Sequence, residues 1–173
     1  MLTIARVLLV APVVVFTLKR TDASSWIAFS AFAVAALTDG FDGFLARRMQ
    51  LVSPAGQLWD PLADKFLVLV SMLALVVVGR FPAWAAAVIL VREAAVTALR
   101  LAAERRRRGF PASRAGKLKT GAQLLAVLFY ILPAATIPGW LEGTALYAAV
   151  ALSVLSGVEY FARAPRILRD DAR

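Results

Sequence analysis

The chain has 173 residues, 61% of them hydrophobic, with a formal net charge of +9 and a mean hydropathy of +0.74. That is too apolar for an ordinary soluble domain, and it leaves too little polar sequence for a second one. Cysteine and histidine are both absent, which excludes disulfides, thiolate nucleophiles, Cys-ligated metals and the commonest general base.

Residues 2–18 form the first apolar run. A charge at Arg6 followed by Val7 to Phe16 has the outline of a signal peptide. No small-x-small cleavage site follows, however, and Lys19-Arg20 comes instead, so a first membrane helix is expected. It is short against the ~20 residues a span needs. A second helix is expected over 25–47 and a loop over 48–53. Ser53-Pro54 is a good helix start, with Ser as cap and Pro at the first position, and the third helix should run over 54–78. Pro61 inside it removes one backbone bond and predicts a kink over 57–60. The alternative is a helix that begins at Pro61 with Asp60 as its cap.

Gly79 to Pro82 reads as a tight turn, and a fourth helix follows over 83–103 with Arg92 and Glu93 in its apolar body. Arg105 to Arg108, Gly109 and Pro111 make a basic loop. Ser113 should cap a fifth helix over 114–133. Residues 134–143, with Pro138 and Gly139, read as a turn. The sixth helix is expected over 144–161, and the charged tail should fray. Trp26, Trp59, Trp84 and Trp140 suit interfacial anchors.

The expectation is an all-α integral membrane bundle of six transmembrane helices, a single domain over 1–173. Lys19, Arg20 and Arg80 fall on one side. Arg47, Arg48, Arg105 to Arg108, Arg114, Lys117, Lys119 and the tail arginines fall on the other. By the positive-inside rule both termini are cytoplasmic. The basic excess then belongs to membrane flanks near anionic headgroups. A nucleic-acid partner is not expected, because no basic stripe is interleaved with exposed aromatics.

Residues 39–64 carry the chemistry. Asp39 and Asp42 are spaced i, i+3, and Asp60 and Asp64 are spaced i, i+4, so each pair shares a helical face. Positions 39, 42, 43, 46 and 47 form one stripe, and Gly56, Asp60 and Asp64 form another. Four carboxylates on facing stripes repel one another unless cations lie between them. Carboxylate oxygens suit hard divalent ions, Mg²⁺ above all, often together with substrate phosphates.

The spacing Asp-x2-Asp-Gly-x2-Ala-Arg-x8-Gly-x3-Asp-x3-Asp resembles the signature of the CDP-alcohol phosphotransferases, with every specified position filled. The resemblance implies a membrane enzyme that takes a CDP-linked lipid and an alcohol, releases CMP and works as a homodimer. Residue by residue, Asp39, Asp42, Asp60 and Asp64 would ligate two Mg²⁺ ions, with Mn²⁺ as the alternative metal. Asp64 would also be the catalytic base. Asp39, Gly43, Ala46, Arg47 and Gly56 would line the CDP site.

Leu2-Thr3-x2-Arg6, Asp60-Pro-x-Ala-Asp-Lys65, Arg92-Glu93 with Arg100, and Ser113-x2-Gly116-Lys117-x-Lys119-Thr120-x2-Gln123 resemble the branch of this family whose acceptor is glycerol 3-phosphate. The implied partners are CDP-diacylglycerol and glycerol 3-phosphate, with the site facing the cytoplasm. Arg92, Arg114, Lys117 and Lys119 are the candidates for the acceptor phosphate. Lys65 is read as the partner of a carboxylate. Competing expectations are another acceptor (inositol phosphate, or phosphatidylglycerol to give cardiolipin) and a non-catalytic cation carrier.

Overall fold

The structure, a computed structural model, describes residues 2–49, 54–105, 114–134 and 136–169, with side chains over 8–38, 65–103, 118–134 and 136–164. Among these residues there are six helices and no strand: α1 Leu2–Leu18, α2 Asp22–Met49, α3 Pro54–Val77, α4 Ala83–Arg105, α5 Arg114–Ile131 and α6 Gly139–Arg169. The expected elements are all present, and most ends fall within one turn of the expected positions.

Three boundaries differ by more than the rest. Helix α2 begins at Asp22 rather than 25, because Thr21 and Ser24 form a reciprocal cap. The Ser24 amide donates to Thr21 Oγ1 at 3.2 Å and the Thr21 amide donates to Ser24 Oγ at 3.1 Å. This is a capping box with serine in place of the usual Glu or Gln. Helix α6 begins at Gly139, directly after Pro138, rather than at 144. Thr144 is not its cap; its hydroxyl donates back to the Trp140 carbonyl at 2.7 Å, inside the helix. The helix also continues through Arg169, so the tail expected to fray is helical to that point.

Helix α3 is continuous from Pro54 across Pro61, so a helix that starts at Pro61 with Asp60 as its cap is not formed. It ends in a glycine cap. Gly79 sits at φ 76°, its amide donates to Val76 at 2.9 Å, and the Arg80 amide donates to Leu75 at 2.9 Å. That is the paired bonding of a Schellman motif, which needs a left-handed residue at this position.

Cross-helix contacts fix the directions. Arg20 at the α1–α2 turn donates to the Val77 carbonyl at 3.3 Å. Arg80 reaches Glu142 at 3.9 Å, and Phe81 packs edge-on against Tyr130 with centroids 4.9 Å apart. The turns at 19–21, 78–82 and 132–138 therefore share one end of the bundle. Chain direction puts the end of α2, the start of α3, the end of α4, the start of α5 and the end of α6 at the other. Trp26, Trp84 and Trp140 are exposed and lie close to the turn end, as interfacial anchors should; Trp59 lies outside the described side chains.

The interior follows helical periodicity. Val10 and Val13 of α1, Ala28, Phe32 and Ala35 of α2, and Leu67, Met72 and Leu75 of α3 are buried together with Ala85, Ile89, Val127 and Ile131. Helix α1 packs on α2 and α3, α5 on α6, α2 and α3, and α4 on α6 and α3. The outside is apolar too. Leu8, Leu37, Val77, Val91, Leu118, Leu155 and Val158 all stand exposed, as side chains that face lipid would. Among the described residues one helical stretch, Gly139–Ala164, is long and apolar enough to cross a membrane. Leu8–Leu18, Asp22–Thr38, Lys65–Val77 and Leu118–Ile131 are shorter apolar stretches.

Candidate active site

The backbone carries both halves of the aspartate motif on helix. Asp39, Asp42, Gly43, Ala46 and Arg47 occupy the last turns of α2, and Gly56, Asp60 and Asp64 the first turns of α3. At 3.6 residues per turn each set keeps to one stripe. Residues 50–53 join the two helices, so both sets lie at the same end of the bundle. The side chains of these eight residues, and those of Arg114 and Lys117, lie outside the described set. Among the described residues no group of three or more metal-ligating side chains occurs.

What is described starts one residue beyond Asp64. Lys65 donates to Thr97 Oγ1 of α4 at 2.8 Å and lies 3.4 Å from Glu93 Oε2. It has the carboxylate partner expected of it. Glu93 is the hub: its Oε1 accepts from Arg92 Nη1 at 2.8 Å and from Lys119 Nζ of α5. Glu93 and Lys119 are both buried.

Arg92 is held on its other side by α6. Its Nε donates to the Ser153 carbonyl at 3.1 Å and its Nη2 to Ser156 Oγ at 2.8 Å. The side chain crosses α6 at Gly157, where an added Cβ would stand 3.2 Å from Arg92 Cγ. Gln123 Nε2 of α5 donates to Ser153 Oγ at 2.9 Å, and that hydroxyl donates to the Ala149 carbonyl at 2.6 Å. Below this, Arg100 donates to the Tyr160 hydroxyl. The Tyr160 ring lies 5.1 Å from the Arg100 guanidinium carbon and 5.9 Å from that of Arg92, within cation–π range.

The energetics of this cluster are lopsided. A buried carboxylate needs a partner, because desolvation costs several kcal/mol per ion. One cation would neutralise Glu93, yet three reach it: Lys65, Arg92 and Lys119. Among the described residues the cluster therefore carries an excess of two positive charges. It meets α3 at Lys65, near the middle of that helix and one residue past Asp64 in sequence.

The candidate residues thus divide. Arg92 and Lys119 are brought together, through Glu93. Arg114 and Lys117 lie outside the described side chains. The sequence marks Glu93 only as a charge in the apolar body of α4, and it gives no role to Ser153, Ser156, Gly157 or Tyr160. The signal was present: these four occupy i, i+3, i+4 and i+7 of an otherwise apolar helix, one stripe of small and polar residues.

A family model described as CDP-alcohol phosphatidyltransferase matches residues 1–155. The chain belongs to the CDP-alcohol phosphatidyltransferase family. It is 42% identical over 148 residues to the probable phosphatidylglycerophosphate synthase of Mycobacterium tuberculosis strain H37Rv, covering 84% of this chain and 69% of that protein. To the CDP-diacylglycerol–glycerol-3-phosphate 3-phosphatidyltransferase of Bacillus subtilis strain 168 it is 42% identical over 135 residues, 76% of this chain and 70% of the relative. The protein of that same name from Escherichia coli strain K12 is 38% identical over 183 residues, 98% of this chain and 96% of the relative.

Members of this family work with a divalent metal. The donor chemistry here fits one. Four carboxylates lie on two helix ends that share one pole of the bundle, in a chain with no cysteine or histidine. An all-oxygen set of this kind suits a hard cation.

Proposed function

We propose that this chain transfers a phosphatidyl group from CDP-diacylglycerol to glycerol 3-phosphate, giving phosphatidylglycerophosphate and CMP. It does so as a single membrane domain over 1–173 with six spans, both termini and the active site on the cytoplasmic side of the cell membrane. The assembly is a homodimer, as the family resemblance implies. The observation that carries the choice of acceptor is the buried cluster around Glu93, in which, among the described residues, three cations meet one carboxylate. A phosphate monoester is a dianion and offsets such an excess. The phosphodiester of phosphatidylglycerol carries a single charge and matches it less well. Inositol phosphate matches it by charge, and the names of the relatives favour glycerol 3-phosphate. The cation carrier has no need of a family built for CDP-alcohols.

The roles follow from residue chemistry. Asp39, Asp42, Asp60 and Asp64 would hold two magnesium ions, Mn²⁺ being the alternative. When bound, the metals supply positive charge to the attacked phosphate and to the departing CMP. Gly43, Ala46 and Gly56 leave room for the CDP moiety against the backbone, beside Asp39. Arg47 can pair with a phosphate through two parallel bonds. Asp64 takes the proton from the acceptor hydroxyl. The oxygen then bonds to the phosphorus that bears diacylglycerol, the bridging P–O bond of the diphosphate breaks, and CMP leaves. Arg92, Arg114, Lys117 and Lys119 hold the acceptor's phosphate; Arg114 and Lys117 stand at the start of α5, where the helix dipole adds to the attraction for anions.

The deciding experiment is an acceptor panel. Purified protein in mixed micelles receives CDP-diacylglycerol with glycerol 3-phosphate, inositol phosphate or phosphatidylglycerol, and CMP is measured. Release with glycerol 3-phosphate is expected; release only with one of the others would replace this acceptor.

A further inference from the structure

Glu93 sits among apolar neighbours. Ile89 and Val96 on the same face of α4 are 1% and 2% exposed, so the carboxylate stands on a buried face. A salt bridge that served packing alone would need one cation. Glu93 gathers three, from three different places in the chain. Lys65 comes from α3, Arg92 is its own neighbour on α4, and Lys119 comes from α5. The carboxylate divides its oxygens between them. Oε1 serves Arg92 and Lys119, and Oε2 faces Lys65 with no hydrogen bond among the described residues.

The geometry points to Glu93 as a positioning residue for the acceptor: it holds the Lys119 ammonium and the Arg92 guanidinium in place and ties both, through Lys65, to the helix that bears Asp60 and Asp64. This rests on the proposed function, in which Lys119 and Arg92 take the acceptor's phosphate. A lysine ammonium on a four-carbon stem has many rotamers, and a substrate that must fix it loses affinity. Glu93 fixes it beforehand. Arg92 is fixed from the far side as well, by Ser153, Ser156 and the groove at Gly157. Among the described residues three cations meet this one carboxylate, which keeps the cluster attractive to a dianion even with Glu93 ionised.

The test is a cycle of substitutions in the full-length protein in mixed micelles, with each substrate varied in turn. Glu93→Gln should raise the KM for glycerol 3-phosphate roughly tenfold and leave the KM for CDP-diacylglycerol within about twofold. Lys119→Met should raise the acceptor KM by a similar factor, and the double variant should do no worse than either single one. Effects that multiply in the double variant would overturn the proposal, because Glu93 would then act apart from Lys119. Equal rises in both KM values would also overturn it, since a general loss of structure does not choose between substrates. Where Glu93→Gln cannot be purified folded, Glu93→Asp keeps the charge and withdraws it by one methylene. Its acceptor KM should rise roughly threefold with the lipid KM unchanged, and an unchanged acceptor KM would overturn the proposal. A wild-type protein that releases no CMP with glycerol 3-phosphate would remove the parent reading and this one together. Normal wild-type release with an unaffected Lys119→Met would overturn this one alone.

Discussion

At the residue scale the expectations that depend on one side chain are sharp. Asp64→Asn keeps the size and removes the base, so turnover should fall by roughly a thousandfold or more while nucleotide binding survives in part. Steady-state CMP release beside a CDP-binding isotherm checks this, and unchanged turnover would take Asp64 out of the role. Gly157→Ala is a different kind of change. Its Cβ would press on Arg92 at 3.2 Å, and overpacking of this sort costs about 1–3 kcal/mol. A lower melting temperature in detergent is expected, together with a raised acceptor KM. At this scale the sequence was legible where spacing is local. The aspartates declare themselves because their partners are three or four residues away. The place of Glu93 at the centre of a cluster could not be read, because Lys65 and Lys119 stand 28 and 26 residues from it. Arg92 meets Ser153 and Ser156 across 61 and 64 residues. Only the packing of α3, α4, α5 and α6 brings these groups together.

At the element scale hydrophobic run length and the Gly and Pro punctuation located every helix. What failed was cap chemistry outside the usual residue types. Thr21-x2-Ser24 works as a capping box without a Glu or Gln, and α6 starts at Gly139, five residues before the expected position 144. The first of these can be tested. Thr21→Ala removes the cap of α2, which typically costs about 0.5–2 kcal/mol. The expected readout is a lower melting temperature with unchanged KM values, because the cap lies at the end of the bundle remote from the motif. The polar contacts also divide the elements by task. Helices α1, α2 and the second half of α3 meet largely through apolar side chains, whereas α4, α5 and α6 meet through Glu93, Lys119, Gln123 and Ser153 around a core that is apolar only toward the turn end. Lys65 is the described link from α3 into that polar half.

At the scale of the whole molecule, orientation is the property to test, and the absence of cysteine makes the experiment clean. A single cysteine at Thr136, in the turn between α5 and α6, should react with a membrane-impermeant thiol reagent in intact cells. One at Ala172, in the tail, should react only after the membrane is opened. The reverse pattern would invert the topology. Removal of divalent ions with a chelator should abolish CMP release and added Mg²⁺ should restore it, because four carboxylates without a cation repel one another.

The alternation of the six helices has a practical side. Leu2 and Arg169 are both at the pole where α2 ends and α3 begins, so a polypeptide joined to the outer end of α1 or α6 emerges at the pole that carries the aspartate motif. A bulky fluorescent fusion or purification domain there would crowd the pole on which the motif lies. The segment between Pro133 and Pro138, at the opposite pole, is the place where cargo can be attached without obstructing traffic.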